Sequence, residues 1–177
     1  MLGYGSFSAV KKAAFHRWVW DRQRPVMDQV LHIAPRLKPG TLVIMDNVPK
    51  DNDPFLGDNE WFDMALRLAY PETPVGGVYF HQDGSPAAGG NLTISGDGEW
   101  KLHDNRVLPK GGIDAMLVLE CDQHGTLSIA RSLPGFLVIG ENAARFYNPS
   151  TRIDNGNPSP RAVRRYAASG VWIPAPR

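Results

Sequence analysis

The segment Thr41-Leu42-Val43-Ile44-Met45-Asp46 is apolar from its second to its fifth residue without alternation, and the chain enters it through Pro35, Pro39 and Gly40. A sheet with one wet face writes apolar and polar residues in turn. An unbroken run of this length is the signature of a strand covered on both faces. Such a strand needs layers above and below it, so the expected fold class is α/β.

The flanking periodicities supply the layers. Residues 8–22 read as a helix with Ser8 as N-cap, and Val10, Ala13, Ala14 and Trp18 form an apolar stripe widened by Phe15 and Val19. Pro25 either kinks this helix or opens a second one, in which Met27, Val30, Leu31, Ala34 and Leu37 continue the period. The expected packing lays this leading region's apolar side on the sheet. Residues 47–57 form a polar loop, after which a helix starts near Asp58 with Trp61, Met64 or Ala65, and Leu68 on one face, and stops before Pro71. A strand over Gly77–His81 follows. The order helix, strand, helix, strand favours a parallel pair joined by a right-handed crossover.

Beyond Gln82 the pattern becomes short strands and turns. Asn91–Ser95 and Glu99–His103 flank Gly96-Asp97-Gly98, and Ala115–Cys121 and Thr126–Arg131 flank Asp122-Gln123-His124-Gly125. Both read as hairpins with glycine at the left-handed position. Phe136–Ile139 reads as a further short strand. The expectation is one α/β domain over residues 8–147, its small mixed sheet parallel at the start and antiparallel in the second half. Pro149, Pro158, Pro160, Pro174 and Pro176 mark residues 148–177 as an irregular tail, with room for a helical turn over Arg161–Ala168.

At 177 residues the chain has the length of a single domain with a core of its own. A net charge of +1 gives no bulk field to recruit nucleic acid, so none is expected as partner. The one cysteine, Cys121, excludes an intrachain disulfide and a multi-cysteine metal site. It reads as a small buried hydrophobe. No apolar run reaches the ~18 residues of a membrane-spanning helix.

No cofactor or metal is expected either. There is no nucleophile elbow, no phosphate loop and no dinucleotide fingerprint. His16 and His32 lack a ligand-type partner one helical turn away, and His103 and His124 fall at a strand end and a turn. The acidic loop Asp51, Asp53, Asp58 fits no EF-hand and reads equally well as solvated chain. What remains is an edge. Asp46 leaves the buried strand at its carboxyl end, and His81 and Asp83 leave the second strand on the same side. In open α/β sheets ligands bind there. Asp46, Asp58, His81 and Asp83 are therefore the catalytic candidates of a small free-standing enzyme, provided they converge on one pocket.

The first helix carries a different signal. Lys11, Lys12, Arg17, Arg22 and Arg24 face Asp21 alone, with Trp18 and Trp20 interleaved. That pattern suits a segment at a membrane surface, with Lys11, Lys12, Arg17, Trp18 and Trp20 as the contacting residues, and suits better a solvated basic helix with tryptophans in the core, since Trp is buried on average and basic helix faces are ordinary. An exposed apolar patch around Val10, Ala14 and Trp18 would instead mark an oligomerisation domain.

Four stretches carry a resemblance. Trp20 with Gln23-Arg24, the turn Ala34-Pro35-Arg36-Leu37-Lys38-Pro39-Gly40-Thr41-Leu42-Val43, the helix end Ala65–Tyr70, and Leu117–Cys121 with Thr126–Pro134 resemble the C-terminal soluble tail of polytopic, glycosyltransferase-like bacterial membrane proteins. The similarity spans about residues 15–150 and its motifs are structural. It implies a non-catalytic accessory domain, the transfer chemistry lying in the membrane-embedded part. The implied partners are that embedded part or the membrane surface, and a carbohydrate stacked on Trp61, Tyr79, Trp100 or Trp172. It also implies an extracytoplasmic location, whereas Lys11, Lys12 and Arg17 beside a span favour the cytoplasmic side, as would a free-standing chain.

Overall fold

A computed structural model describes residues 3–103, 108, 110–137 and 144–154. Helix α1 (Gly3–Ile33) is a single helix with Pro25 inside it. Strand β1 (Thr41–Val48), helix α2 (Asn59–Ala69) and strand β2 (Val75–His81) follow. Then come β3 (Leu92–Ile94), β4 (Glu99–Leu102), β5 (Lys110–Gly112), β6 (Met116–Cys121) and β7 (Leu127–Ile129).

The main sheet has the order β2-β1-β6-β7, and β3-β4-β5 form a second sheet. β1 runs parallel to both β2 and β6, while β6 and β7 pair antiparallel through the turn closed by Gly125. The expected mixed sheet is therefore present, parallel first and antiparallel last. The first predicted hairpin, however, does not extend it. β3 and β4 join β5 in an antiparallel layer of their own.

That layer explains how β1 is buried on both sides. Val43 and Met45 pack with Met27 and Val30 of α1, Phe62 and Leu66 of α2, and Leu117 and Leu119 of β6. Leu42 and Ile44 face the other way, onto Val118, Ile113, Leu102 and the fully buried Trp100. The Trp100 indole donates to the Gly112 carbonyl at 2.7 Å. Gly111 lies under the ring with no space for a methyl, which requires glycine there.

Three expectations about helix packing need correction. Ser8 is not the N-cap, because the helix begins at Gly3. From Val19 onward α1 is buried against the body through Val19, Gln23, Met27, Val30 and then Ala34, while residues 11–18 are all exposed. Ala14 and Trp18 thus bury no stripe, and the Val10 side chain lies outside the described residues. On α2 the inward residues are Asn59, Phe62, Asp63, Ala65, Leu66 and Ala69, while Met64 and Leu68 are exposed. The helix is turned from the predicted face because it brings two polar side chains, as well as its apolar ones, to the edge of β2.

Those polar side chains close the sheet. The Asn59 amide donates to the Gly77 carbonyl at 3.0 Å and accepts from the Tyr79 N–H at 3.1 Å, while Asp63 accepts from the Gly77 N–H at 3.0 Å. At the opposite edge the Gln29 amide donates to the Gly125 carbonyl at 3.0 Å and accepts from the Leu127 N–H at 2.8 Å. Each edge strand meets a carboxamide from a helix that completes its ladder as another strand would, and so is withheld from pairing with foreign chains.

The tail begins as packed irregular chain. A short 3-10 helix, Pro149–Arg152, sits against the turn before β1, where the Arg152 guanidinium donates to the Thr41 hydroxyl at 3.1 Å and the Pro39 carbonyl at 2.8 Å. Phe136 and Leu137 are in a turn, and residues 138–139, Arg161–Ala168 and Trp172 lie outside the described residues.

Candidate functional site

The chain leaves β1 through Asn47, whose φ of +64° turns the strand end and whose side chain donates to the Cys121 carbonyl at 2.7 Å. After Pro49 and a single 3-10 turn it reaches Asp53, which is buried. Its two carboxylate oxygens accept from the Phe55 N–H (2.7 Å), the Gly57 N–H (2.8 Å), the Tyr79 hydroxyl (2.9 Å) and His81 Nε2 (3.0 Å). Four donors saturate the charge, so Asp53 is the anion around which the loop is built. The His81 contact assigns the Nε2–H tautomer to the imidazole. Burial first, and then the neighbouring Asp53 charge, push the Tyr79 phenol far above its ordinary range.

The same carboxylate holds an unusual turn. Leu56 and Gly57 both have positive φ, +59° and +78°, and the Asp58 N–H donates to the Phe55 carbonyl at 3.1 Å. These are the signs of a type I′ turn, which favours Asn or Gly at the position Leu56 occupies. Leu56 is held there with its side chain exposed.

Helix α1 passes over this loop. It runs opposite to β1: its end meets α2 where the Tyr70 hydroxyl donates to the Ala34 carbonyl (2.6 Å), and its middle meets the carboxyl edge of the sheet. There the Arg22 guanidinium donates to the Asp53 carbonyl at 3.3 Å and stands 5.1 Å from the Trp18 ring centroid. Trp18, Arg22, Lys50, Leu56 and His81 line an open cavity of about 450 Å³. On the other side of Arg22 a second cavity, of about 580 Å³, lies at the ends of β1 and β6 over Met45, Val48 and Cys121. Burial and the adjacent Asp122 push the Cys121 thiol up to about 11, so at neutral pH it is protonated.

The four residues predicted at the edge do not form one cluster. His81 pairs with Asp53. Asp83 is exposed, accepting from Lys50 Nζ (2.6 Å) and the Ser85 hydroxyl (2.6 Å), and these hydrogen bonds hold its carboxyl below the ordinary range. Ser85 links the two, its hydroxyl 3.5 Å from His81 Nδ1. Asp58 caps α2, accepting from the Glu60 N–H at 2.9 Å. Asp46 stands opposite Glu120 on the far face of the sheet. The partner missed by sequence reasoning is Asp53. Its signal was the pattern Asp53-Pro54-Phe55-x-Gly57, an Asx turn in which a carboxylate bonds the N–H groups just ahead of it.

Asp46 permits a test of sign. Burial raises its carboxyl above the ordinary value against the opposing Asn47 N–H, and Glu120 adds to the rise. A carboxyl raised by folding binds its proton more readily in the native state, so stability falls as pH climbs from the unfolded pKa through the folded one. Asp46→Asn is expected to raise stability at pH 7 by no more than about 1 kcal/mol, because the pair is half exposed. The gain should vanish below pH ~4, where the unfolded carboxyl is also protonated. Thermal melts at the two pH values measure it.

Of the surface candidates on α1, Lys11, Lys12, Arg17 and Trp18 are exposed, while Trp20 is half-buried against the helix-side core. Of the aromatics considered for stacking, Tyr79 and Trp100 are buried and Trp61 is half-buried beside His16, with ring centroids 6.0 Å apart. No group of three or more His, Cys, Asp or Glu positioned to hold a metal ion occurs among the described residues, and no described helix is long and apolar enough to cross a membrane. No protein-family model, curated protein or solved structure matches this chain.

Proposed function

We propose that this chain is a non-catalytic accessory domain of a membrane-associated, glycosyltransferase-like protein, carried on α1 as a stalk. One observation carries the reading: α1 continues past the carboxyl edge of the sheet, and residues 11–18 are all exposed, with His16 beside Trp61 and Trp18 at the mouth of the cavity. At 1.5 Å per residue, the helix from Gly3 to Trp18 extends about 24 Å.

No acidic residue occurs in the first 20 positions, and Lys11, Lys12 and Arg17 are the bases of the exposed stretch. At 100° per residue these three point in different directions, with Phe15 and Trp18 between them. Charge on all sides disfavours a helix lying flat on lipid and suits one standing upright among headgroups. The glycosyltransferase-like context rests on the sequence resemblance alone. A non-catalytic role is supported by the scatter of Asp46, Asp58, His81 and Asp83, and by the use of Asp53 as a structural anion.

The test is co-sedimentation of the full chain with vesicles containing anionic lipid. Each basic residue near such a surface contributes about 1 kcal/mol, so reversing Lys11, Lys12 and Arg17 to Glu should weaken binding at least tenfold (an order-of-magnitude bound). Equal binding by both forms removes the reading.

A further inference from the structure

The stalk leaves the body on the side where α/β sheets bind their ligands, so whatever α1 approaches also faces the carboxyl edge. The cavity of about 450 Å³ on that edge has two kinds of wall. One is polar: the cations Arg22 and Lys50, with the exposed Asp51 beside them and His81 turned to Asp53. Lys50 directs one donor to Asp83 and retains others, and Arg22 uses one of its five toward the Asp53 carbonyl. Of the two carboxylates in the lining, Asp53 already accepts from four donors, and Asp51 is exposed to solvent.

The other wall is apolar and exposed. Trp18 is 48% and Leu56 39% accessible, both at the mouth. Leu56 occupies a left-handed position that costs a branched side chain on the order of 1 kcal/mol and that Asn or Gly would fill without strain. An apolar residue held outward against its own backbone preference, next to an exposed indole, is an observation that points toward a ligand.

We infer that the carboxyl edge of β1 and β2 binds a phosphate-bearing amphiphile, its head between Arg22 and Lys50 and its apolar part against Trp18 and Leu56. The inference rests on the stalk reading for its direction of approach, since the helix that leaves the body also walls this cavity. A planar, forked guanidinium and an ammonium are the side chains suited to a phosphate with several acceptor oxygens.

The experiment is an NMR titration of the full chain with three probes: dihexanoyl phosphatidic acid below its micelle concentration, neutral dihexanoylglycerol, and inorganic phosphate. The phosphatidic acid is expected to bind at least tenfold more tightly than either of the others and to shift the Trp18 indole resonance. Combined Arg22→Gln and Lys50→Gln should weaken it at least tenfold. Leu56→Asn should weaken it several-fold without lowering the melting temperature, because asparagine suits the turn. Inorganic phosphate binding as tightly as the amphiphile, the neutral glyceride doing so, or unchanged affinity in Leu56→Asn would each overturn the inference. Charge reversal at Lys11, Lys12 and Arg17 leaves this solution binding intact. Equal vesicle binding by the wild type and the charge-reversed form, with tight probe binding, therefore overturns the stalk reading alone, and charge-sensitive vesicle binding without tight probe binding overturns this site alone.

Discussion

Replacing Asn59 by leucine is expected to destabilise the protein by about 3 kcal/mol, which at this chain length lowers the melting temperature by roughly 10 °C. Leucine has a similar volume, so the loss does not come from a cavity. It comes from the Gly77 carbonyl and the Tyr79 N–H, two buried backbone groups on an edge strand whose only hydrogen bonds shown are to the Asn59 amide. Each is left without a partner at a cost of about 1–3 kcal/mol. Asn59→Asp preserves the acceptor but sets a buried carboxylate against the Gly77 carbonyl, and should cost at least as much as leucine. The equivalent change at the other edge, Gln29→Leu, should cost less, because water reaches the half-buried Gly125 carbonyl. Chemical denaturation of the three variants measures the series. Wild-type stability in Asn59→Leu would show that the carboxamide does not act as the missing strand.

Replacing Asp53 by alanine is expected to cost at least about 3 kcal/mol, because buried donors left without an acceptor cost about 1–3 kcal/mol each. The Phe55 and Gly57 N–H groups, the Tyr79 hydroxyl and His81 Nε2 all lose their acceptor at once. The turn at Leu56 then loses what holds its left-handed backbone, so the effect should include loosening of residues 55–58 as well as a lower midpoint. Tyr79→Phe removes one of the four donors and leaves the others paired, and should cost about 1 kcal/mol. Hydrogen exchange at the Phe55 and Gly57 amides separates a local opening from global unfolding. Unchanged protection in Asp53→Ala would mean that the turn stands on its own.

Both predictions concern side chains whose roles are long-range, and the same division runs through the whole chain. Burial of β1 on both faces was legible because four consecutive apolar residues between turn formers admit few other solutions. Asp58 as the start of α2 and Gly125 in the β6–β7 turn were legible for a related reason. Capping and left-handed geometry are chemistry within a few residues. The face of α2 was misjudged in part, with Ala65 buried but Met64 and Leu68 exposed, because Trp61, Met64 or Ala65, and Leu68 make as good a stripe as Phe62, Ala65 and Ala69. Only the demand of β2 for Asn59 and Asp63 chooses between them.

Sequence alone thus determined what short-range sterics and hydrophobic period can specify: where α2 begins and ends, which strand is innermost, and where the chain turns. Tertiary structure decided the rest. It placed β6 beside β1, put β3, β4 and β5 in a layer of their own, paired Asp53 with His81 across 28 positions, and left residues 11–18 of α1 exposed. Those outcomes depend on which distant groups meet once the core closes. No local pattern of residues encodes the partner a buried carboxylate or an open strand edge will find.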